Sequence, residues 1–428
     1  MNVTKKELPK SQVELTVELS FEELKPFIER GAESISKEVK IEGFRPGKVP
    51  YDVLKRKIGE MSILEEAARI AINKTIDQAI KDNVKSEPVG RPDVNITKLS
   101  PENPLEYKVV FAVLPEIKSG DYKNAKVKAQ EVLIKDEDVE KVIEQLRESR
   151  AQEAIADRAI QEGDKVTADI DIFLDNVPVE GGQGKGTAVL IGKNYIIPGF
   201  DKNLVGAKKD DVKEFKLKYP EDYHMANLAG RMVEFRVKIM EVYSRELPEV
   251  NEVFAGAFGL KNAEELKSNI KKSLEEESKQ KEEQKIEIEI IDKILAQAKF
   301  GDIPEMLINH EADAMLHDLE HKITQQGAKF EDYLQSLKKT REQLLLEILP
   351  DAVKRVKSAL MIREIAIEEK ITVSEEEIST KIEELLKQYK GYAKVEERVK
   401  GHEYRHYLKN TIANKKVMDK LKEWNLEK

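Results

Sequence analysis

The sequence predicts a multidomain α+β protein with an N-terminal α+β domain, a β-rich middle domain and an all-α C-terminal domain. The chain has 428 residues, more than a single hydrophobic core normally serves. Hydrophobic residues make up 40% of it, enough for globular folding. The hydrophobic pattern changes along the chain, from mixed, to alternating with frequent glycine, to helical periodicity. These changes place a first domain at residues 1–112, a linker at 113–150, the β-rich domain at 151–245 and the helical domain at 246–428.

The first domain should contain one strand, three helices and two further strands. Residues 13–19 alternate apolar and polar side chains, which is typical of a strand. Ser20 and Glu23 have the spacing of a capping box, so a helix should begin there and run to about residue 40. The remaining elements follow in order: a break at residues 43–50, helices after Pro50 and over 61–82, and strands near 94–99 and 107–113.

The later elements follow from the same patterns. The linker should hold a strand at 127–134 and a short helix from Asp136 to about Arg150. The β-rich domain should have strands at 166–172, 212–217 and 233–237, and a mobile glycine-rich loop at 181–187. In the C-terminal domain we predict helices over 262–300, 304–326, 330–349, 351–370 and 374–389 and one after Gly401, with breaks at Pro304, Pro350 and Gly391.

Composition excludes several classes of protein. The absence of cysteine rules out disulfides, thiolate metal sites and cysteine nucleophiles. The first ten residues are polar, and no apolar run approaches the length that spans a membrane, so we expect a cytoplasmic protein without a membrane partner. The net charge of -9 argues against a globally basic, DNA-binding protein.

The break at residues 43–50 is the most distinctive segment of the chain. Its two glycines and two prolines predict a stiff, exposed turn with Phe44 near the tip. The segment and its flanks are basic, with lysine or arginine at 37, 40, 45, 48, 55, 56 and 57 against acidic residues at 38, 42 and 52. Such a surface suits a phosphate backbone or an acidic protein. On these properties alone, an ordinary helix–helix loop with Phe44 turned inward is the alternative.

This segment resembles the ribosome-docking signature of bacterial trigger factors. The matching residues are Gly43, Phe44, Arg45, Pro46, Gly47, Lys48 and Pro50. The resemblance implies that the loop binds the large ribosomal subunit beside the exit tunnel, where it contacts a ribosomal protein and ribosomal RNA. Phe44, Arg45 and Lys48 would carry that contact.

The β-rich region resembles an FKBP-type prolyl isomerase domain. The resemblance rests on Ile196-Ile197-Pro198-Gly199-Phe200, on Tyr219-Pro220-Glu221-Asp222-Tyr223-His224 and on the strand around Phe235. It implies a catalytic pocket formed by Ile170, Val179, Glu180, Ile196, Ile197, Phe200, Tyr223 and Phe235. Ile170 and Val179 stand at positions where this family usually has aromatic residues, and the further aromatic residue usual near Thr187 is also missing. We therefore expect the fold with reduced isomerase activity, and a domain that only binds peptides is the alternative.

The C-terminal helices carry many aliphatic residues between Pro304 and Ile367, which predict helix–helix cores and partly open apolar faces. Residues 303–308 and 355–360 resemble the C-terminal module of trigger factors. The resemblance then covers nearly the whole chain and implies a chaperone whose partners are nascent and unfolded polypeptides. Because the family often dimerises off the ribosome, a homodimer is a further expectation.

Three motifs suggest other chemistry. Residues 181–187 are rich in glycine, but Gly186 stands where a phosphate-binding loop needs serine or threonine. No nucleotide motif remains, so we predict an ATP-independent protein without a cofactor. His402-Glu403-Tyr404-Arg405-His406 and His317-Asp318-Leu319-Glu320-His321 have zinc-peptidase spacings. Because their neighbours are polar, we interpret both as solvated helix faces and predict no metal site; a zinc peptidase is the remote alternative.

Overall fold

A computed structural model of the chain describes residues 1–130, 133–221, 223 and 228–427, without the side chain of Glu180. The chain divides into two compact units. The first consists of Met1–Ala129 and Glu283–Lys428, and the second is Gln130–Glu282. The predicted fold class is confirmed, because a mixed α/β part, a β-rich part and a helical part follow one another along the chain.

The N-terminal part of the first unit is a four-stranded antiparallel sheet packed against three helices. The strands are β1 (Asn2–Leu8), β2 (Gln12–Leu19), β3 (Pro88–Lys98) and β4 (Leu105–Val113), in the order β1-β2-β4-β3. The helices are α1 (Phe21–Glu38), α2 (Tyr51–Ile58) and α3 (Glu60–Asn83). The prediction of a single strand before α1 is wrong. β1 is an edge strand with mostly exposed side chains, so it lacks the apolar alternation by which a half-buried strand is recognised.

Local signals set the ends and the packing of α1. The predicted capping box is confirmed: the backbone N–H of Ser20 donates to Glu23, and the N–H of Glu23 donates to Ser20 Oγ. Leu24 is fully buried in the same core as the sheet residues Leu15 and Val17. At Gly31 an added Cβ atom would lie 2.8 Å from the backbone nitrogen of Ala67, so only glycine permits this close approach of α1 and α3.

Residues 113–129 join the core of the C-terminal helices. Strand β5 (Ile117–Lys118) pairs antiparallel with Lys299–Phe300, and β6 (Val127–Lys128) pairs in parallel with Leu426–Glu427. The strand expected at 127–134 thus ends at Lys128, and residues 131–132 lie outside the described residues. Tyr122, Ala125 and Val127 are buried in this core.

The second unit contains a five-stranded antiparallel sheet. Helix α4 (Asp136–Ser149) precedes it, and its strands are β7 (Gln152–Ile155), β8 (Lys165–Leu174), β9 (Val177–Leu190), β10 (Val212–Lys218) and β11 (Met232–Glu246). The order is β10-β11-β8-β9, with β7 on β11, and a short 3₁₀ helix lies at Asp201–Asn203. Helix α5 (Glu252–Gly256) and the first part of α6 (Ala263–Gln297) complete the unit.

The glycine-rich stretch 181–187 is not the predicted mobile loop. It lies within β9, where Gly184 pairs with Ile170 and Gln183 with Asp171. Two register irregularities interrupt this pairing, and Gly181 and Gly186 adopt positive φ values of 75° and 60°. Glycine is therefore used here to shape an irregular strand.

The C-terminal part is helical, with short strands β12 (Lys299–Phe300) and β13 (Leu426–Glu427). Its further helices are α7 (Glu305–Gln325), α8 (Phe330–Leu337), α9 (Arg341–Glu368), α10 (Glu375–Gln388), α11 (Ala393–Lys400) and α12 (His402–Asn425). The predicted break at Pro350 is wrong, because Pro350 lies inside α9. The helical path is interrupted instead at Lys338, whose backbone adopts the left-handed conformation. Helix α9 then begins after a capping box formed by Thr340 and Gln343.

Candidate functional site

The loop at residues 43–50 connects α1 to α2. Gly43 and Gly47 have φ values of 88° and 80°, conformations that favour glycine. The backbone N–H of Gly47 donates to the carbonyl oxygen of Ser36 at 2.8 Å, and the N–H of Val49 donates to Ser36 Oγ at 3.2 Å. Because Ser36 is only 1% exposed, the end of the loop is fixed to a buried part of α1.

The functional residues predicted in this loop face solvent. Phe44 is 40% exposed, and Arg45, Pro46 and Lys48 are also exposed. The inward-facing alternative for Phe44 therefore does not describe the structure. Within the described part of the chain, neither Arg45 nor Lys48 lies within ion-pair distance of a carboxylate, although nearby Lys37 and Lys55 pair with Glu33 and Glu60 at 2.8 and 2.7 Å. The tip therefore offers an aromatic ring and two available cations to a partner.

The predicted pocket residues come together around the middle of the β-rich sheet. Ile170 lies on β8, Val179 on β9 and Phe235 on β11, while Ile196, Ile197 and Phe200 come from the turn before the 3₁₀ helix. Ile170, Ile197, Phe200 and Phe235 are buried in one core, against which Val179, Ile196 and Tyr223 pack half-buried. The side chain of Glu180 lies outside the described part of the structure, as do residues 222 and 224 of the stretch from Tyr219 to His224.

Sequence reasoning missed two aromatic members of this site, Phe215 and Tyr219. Phe215 lies directly opposite Phe235 in the β10–β11 pair, with ring centroids 5.6 Å apart and stacked. Phe200 meets both rings edge-on, at 5.4 Å from Phe215 and 5.2 Å from Phe235. The alternation of β10 indicates that Phe215 faces inward, and this was the signal available in the sequence.

Tyr219 extends the aromatic cluster, which we define as Phe200, Phe215, Tyr219, Tyr223 and Phe235. Its ring lies 4.5 Å from that of Tyr223 and 6.2 Å from that of Phe235. Burial, together with the neighbouring hydroxyl of Tyr223, raises the pKa of Tyr219 to about 12, so this phenol stays neutral at physiological pH. The aromatic cluster is thus apolar and uncharged, and it is suited to packing against a peptide bond away from water.

The histidine motifs lie on exposed helix faces. His317 and His321 on α7, and His402 and His406 on α12, are all exposed. Glu320 of the motif at residues 317–321 forms an ion pair with Arg341 at 3.1 Å. Among the described residues, no group of three or more histidine, aspartate or glutamate side chains is arranged to hold a metal ion.

The aliphatic residues of the C-terminal helices divide into core and surface. Leu316, Leu344 and Met361 are buried, whereas Met306, Leu346 and Ile367 are 45%, 64% and 56% exposed. Apolar side chains therefore remain open on this domain. No helix in the described parts of the chain has an apolar stretch long enough to cross a membrane.

Comparisons with known proteins agree with this arrangement. Residues 156–240 match the family model of the FKBP-type peptidyl-prolyl cis-trans isomerase, so the β-rich part is a domain of that class. Residues 1–146 match the bacterial trigger factor protein model, and residues 262–423 match the model of its C-terminus. The chain is 34% identical over 434 residues to a trigger factor of Halothermothrix orenii, covering 99% of both chains. It belongs to the trigger factor family of chaperones.

Other relatives cover less of the chain. A trigger factor of Bacillus mycoides is 34% identical over 378 residues, and one of Bacillus cereus is 32% identical over 378, each with 88% of both chains covered. One solved structure comes from work on promiscuous substrate recognition in the folding and assembly activities of the trigger factor chaperone. The match covers 98% of this chain and 99% of that chain, at 23% identity and a TM-score of 0.49. The family matches favour neither a zinc peptidase, since both histidine motifs lie within the C-terminal match, nor a domain that only binds peptides.

Proposed function

We propose that this protein is a cytoplasmic, ribosome-associated, ATP-independent chaperone that binds nascent chains at the tunnel exit. The observation that carries the proposal is the loop at residues 43–50, which presents exposed Phe44, Arg45 and Lys48 on a base fixed by Ser36. An aromatic ring stacks on nucleobases or packs into apolar protein pockets, and the cations bind phosphate or carboxylate groups.

The partner at this loop is the large ribosomal subunit, through a ribosomal protein and ribosomal RNA beside the exit tunnel. Gly43, Pro46, Gly47 and Pro50 give the loop its shape, and Phe44, Arg45 and Lys48 make the contacts. We assign residues 1–112 to ribosome binding, 113–150 to a linker, 151–245 to prolyl isomerisation and 246–428 to client binding. Off the ribosome, we expect a homodimer.

Client binding fits the open apolar side chains of the helical domain. Met306, Leu346 and Ile367 present flexible aliphatic groups among many charges, a combination that supports weak contacts with varied unfolded chains. Nucleotide hydrolysis has no part in this proposal, so clients leave by dissociation or by folding.

The isomerase reaction requires rotation about a partial double bond, with a barrier of about 18–20 kcal/mol. An apolar site lowers it by removing water from the prolyl amide, which favours the twisted state with less charge separation. We assign this role to Ile170, Val179, Glu180, Ile196, Ile197, Phe200, Tyr223 and Phe235. Phe215 and Tyr219 add aromatic rings to the same core, although the usual aromatics are missing elsewhere, so we expect reduced but measurable activity.

Ribosome pelleting tests the docking proposal. The triple variant Phe44→Ala, Arg45→Ala, Lys48→Ala should no longer cosediment with ribosomes at low salt. A control variant, Arg56→Ala with Lys57→Ala, removes two nearby positive charges outside the loop and should keep most binding. Equal cosedimentation of wild type and the triple variant would refute the site.

A further inference from the structure

A groove of about 540 Å³ lies beside the base of the signature loop in the N-terminal part. Ile28, Ala32 and Leu64 form its apolar floor, and each is almost fully buried. Gly47 and Val49 from the end of the loop form part of one wall. The groove therefore adjoins the end of the loop.

The rim of the groove has an excess of negative charge. Its carboxylates are Glu29, Glu33, Glu60 and Glu102, against the two cations Lys25 and Lys55. Glu60 and Glu33 are neutralised by ion pairs with Lys55 and Lys37, and Lys25 lies 3.8 Å from Glu22 outside the groove. Within the described structure, neither Glu29 nor Glu102 has an ion-pair partner.

We propose that the groove binds a segment of a ribosomal protein next to the loop, with an apolar side chain on the floor and a lysine or arginine at Glu29 and Glu102. This inference rests on the proposed ribosome docking and adds a second contact to it. The basic tip and the acidic groove differ in sign, as do the phosphates and basic protein segments of a ribonucleoprotein surface. RNA alone does not fit the groove, because Glu29 and Glu102 would repel its phosphates.

Charge reversal tests the sign of the partner. Glu29→Lys with Glu102→Lys should weaken binding to vacant ribosomes about tenfold, because attraction becomes repulsion at two positions. The matched control, Asp77→Lys with Asp93→Lys, makes the same change at exposed positions that do not line the groove and should bind within about twofold of wild type. Thermal unfolding verifies that both variants are folded.

The outcomes separate this inference from the docking proposal. If the triple loop variant loses binding while the groove variant binds like wild type, the groove inference fails and docking stands. Tighter binding of the groove variant would also overturn the inference, because it would place phosphates at the rim. If the triple loop variant binds normally, the docking proposal itself fails.

Site-specific cross-linking identifies the occupant. Because the chain has no cysteine, Glu29→Cys creates a unique thiol that can carry a benzophenone photocross-linker. Irradiation on vacant ribosomes, which hold no nascent chain, should give an adduct with a ribosomal protein that survives ribonuclease. A ribonuclease-sensitive adduct, or a yield no higher than from labelled Asp77→Cys, would overturn the inference.

Discussion

Ser36 Oγ accepts a hydrogen bond from the backbone N–H of Val49 at 3.2 Å, and the Ser36 carbonyl oxygen accepts one from Gly47 at 2.8 Å. A single buried residue in the last turn of α1 thus holds the end of the loop that carries Phe44, Arg45 and Lys48. The position of the loop is set from inside the domain, while the side chains of Phe44, Arg45 and Lys48 remain in solvent.

Ser36→Ala should loosen the loop without unfolding the domain. The Val49 N–H, which is part-buried, would lose its partner, so the cost should lie near the lower end of the range of about 1–3 kcal/mol for a buried donor. Hydrogen exchange at Val49 should accelerate and ribosome affinity should fall. Ser62→Ala, on α3, removes a helical serine that does not hold the loop and serves as the control. Wild-type exchange at Val49 in Ser36→Ala would contradict the role given to Ser36.

The signature loop could be predicted from the sequence, but its anchor could not. Glycine and proline spacing fixes a stiff turn, and the motif itself is contiguous. Ser36 lies seven residues before the loop begins and resembles any other serine near the end of a helix. Only the folded backbone brings its hydroxyl to Val49.

Phe200 and Tyr223 should respond differently to truncation. Phe200 is fully buried against both Phe215 and Phe235, so Phe200→Ala should lower the free energy of unfolding by about 3–5 kcal/mol through the cavity it leaves. Tyr223 is only half-buried at the edge of the cluster. Tyr223→Ala should therefore reduce isomerase activity at a smaller loss of stability.

Proline-limited refolding and thermal unfolding, measured together, separate the two effects. Met232→Ala provides a control, because Met232 is an exposed residue of the same sheet and should change neither quantity much. If Tyr223→Ala were as active as wild type, the assignment of Tyr223 to the pocket would be wrong.

The errors in predicting secondary structure have physical causes. Pro350 favours a helix end in sequence, yet the flanking turns of α9 are held by tertiary packing through Leu344, Ala352 and Val356. The glycines of β9 resemble a loop in the sequence, because glycine has no side chain to give the apolar alternation that would indicate pairing with β8. In each case, long-range contacts decide the structure against a local preference.

The Arg158–Asp164 pair should make the β-rich domain sensitive to acid. The Arg158 guanidinium donates to both carboxylate oxygens of buried Asp164, at 2.6 and 2.9 Å, and the N–H of Gln161 donates at 2.8 Å. Burial alone would raise the pKa of Asp164, but these hydrogen bonds outweigh it and lower the pKa below its usual value. The pair therefore stabilises the domain above the ordinary aspartate pKa of about 3.9, and this contribution is lost as the pH falls through the lower folded-state value.

Asp164→Asn should reduce stability at pH 7 by about 1.5–3 kcal/mol, the range for hydrogen bonds to charged groups. Its difference from wild type should shrink below about pH 4, where the wild-type carboxylate of the unfolded chain becomes protonated. Native-state hydrogen exchange of β8 at several pH values measures this difference. Asp157→Asn, at an exposed neighbouring position, should show no such dependence. A pH-independent difference for Asp164→Asn would exclude the ionised pair as its cause.

Asn425 should be essential for joining the end of α12 to residues 122–125. It is fully buried, and its Oδ1 atom accepts the Ala125 N–H at 2.6 Å while Nδ2 donates to the carbonyl oxygens of Tyr122 and Leu421, both at 2.9 Å. Asn425→Ala leaves these buried groups without their partner, so the free energy of unfolding should fall by about 1–3 kcal/mol.

The neighbouring Trp424 provides a local probe of this loss. It is the only tryptophan in the sequence, and its ring lies 6.1 Å from that of Tyr122. Its fluorescence should therefore report unfolding of this core at a lower urea concentration in Asn425→Ala than in wild type. Asn414→Ala, at an exposed position of the same helix, should unfold like wild type. Equal midpoints for the two variants would show that the hydrogen bonds of Asn425 add nothing to stability, and that the apolar residues around Trp424 hold the end of α12 without them.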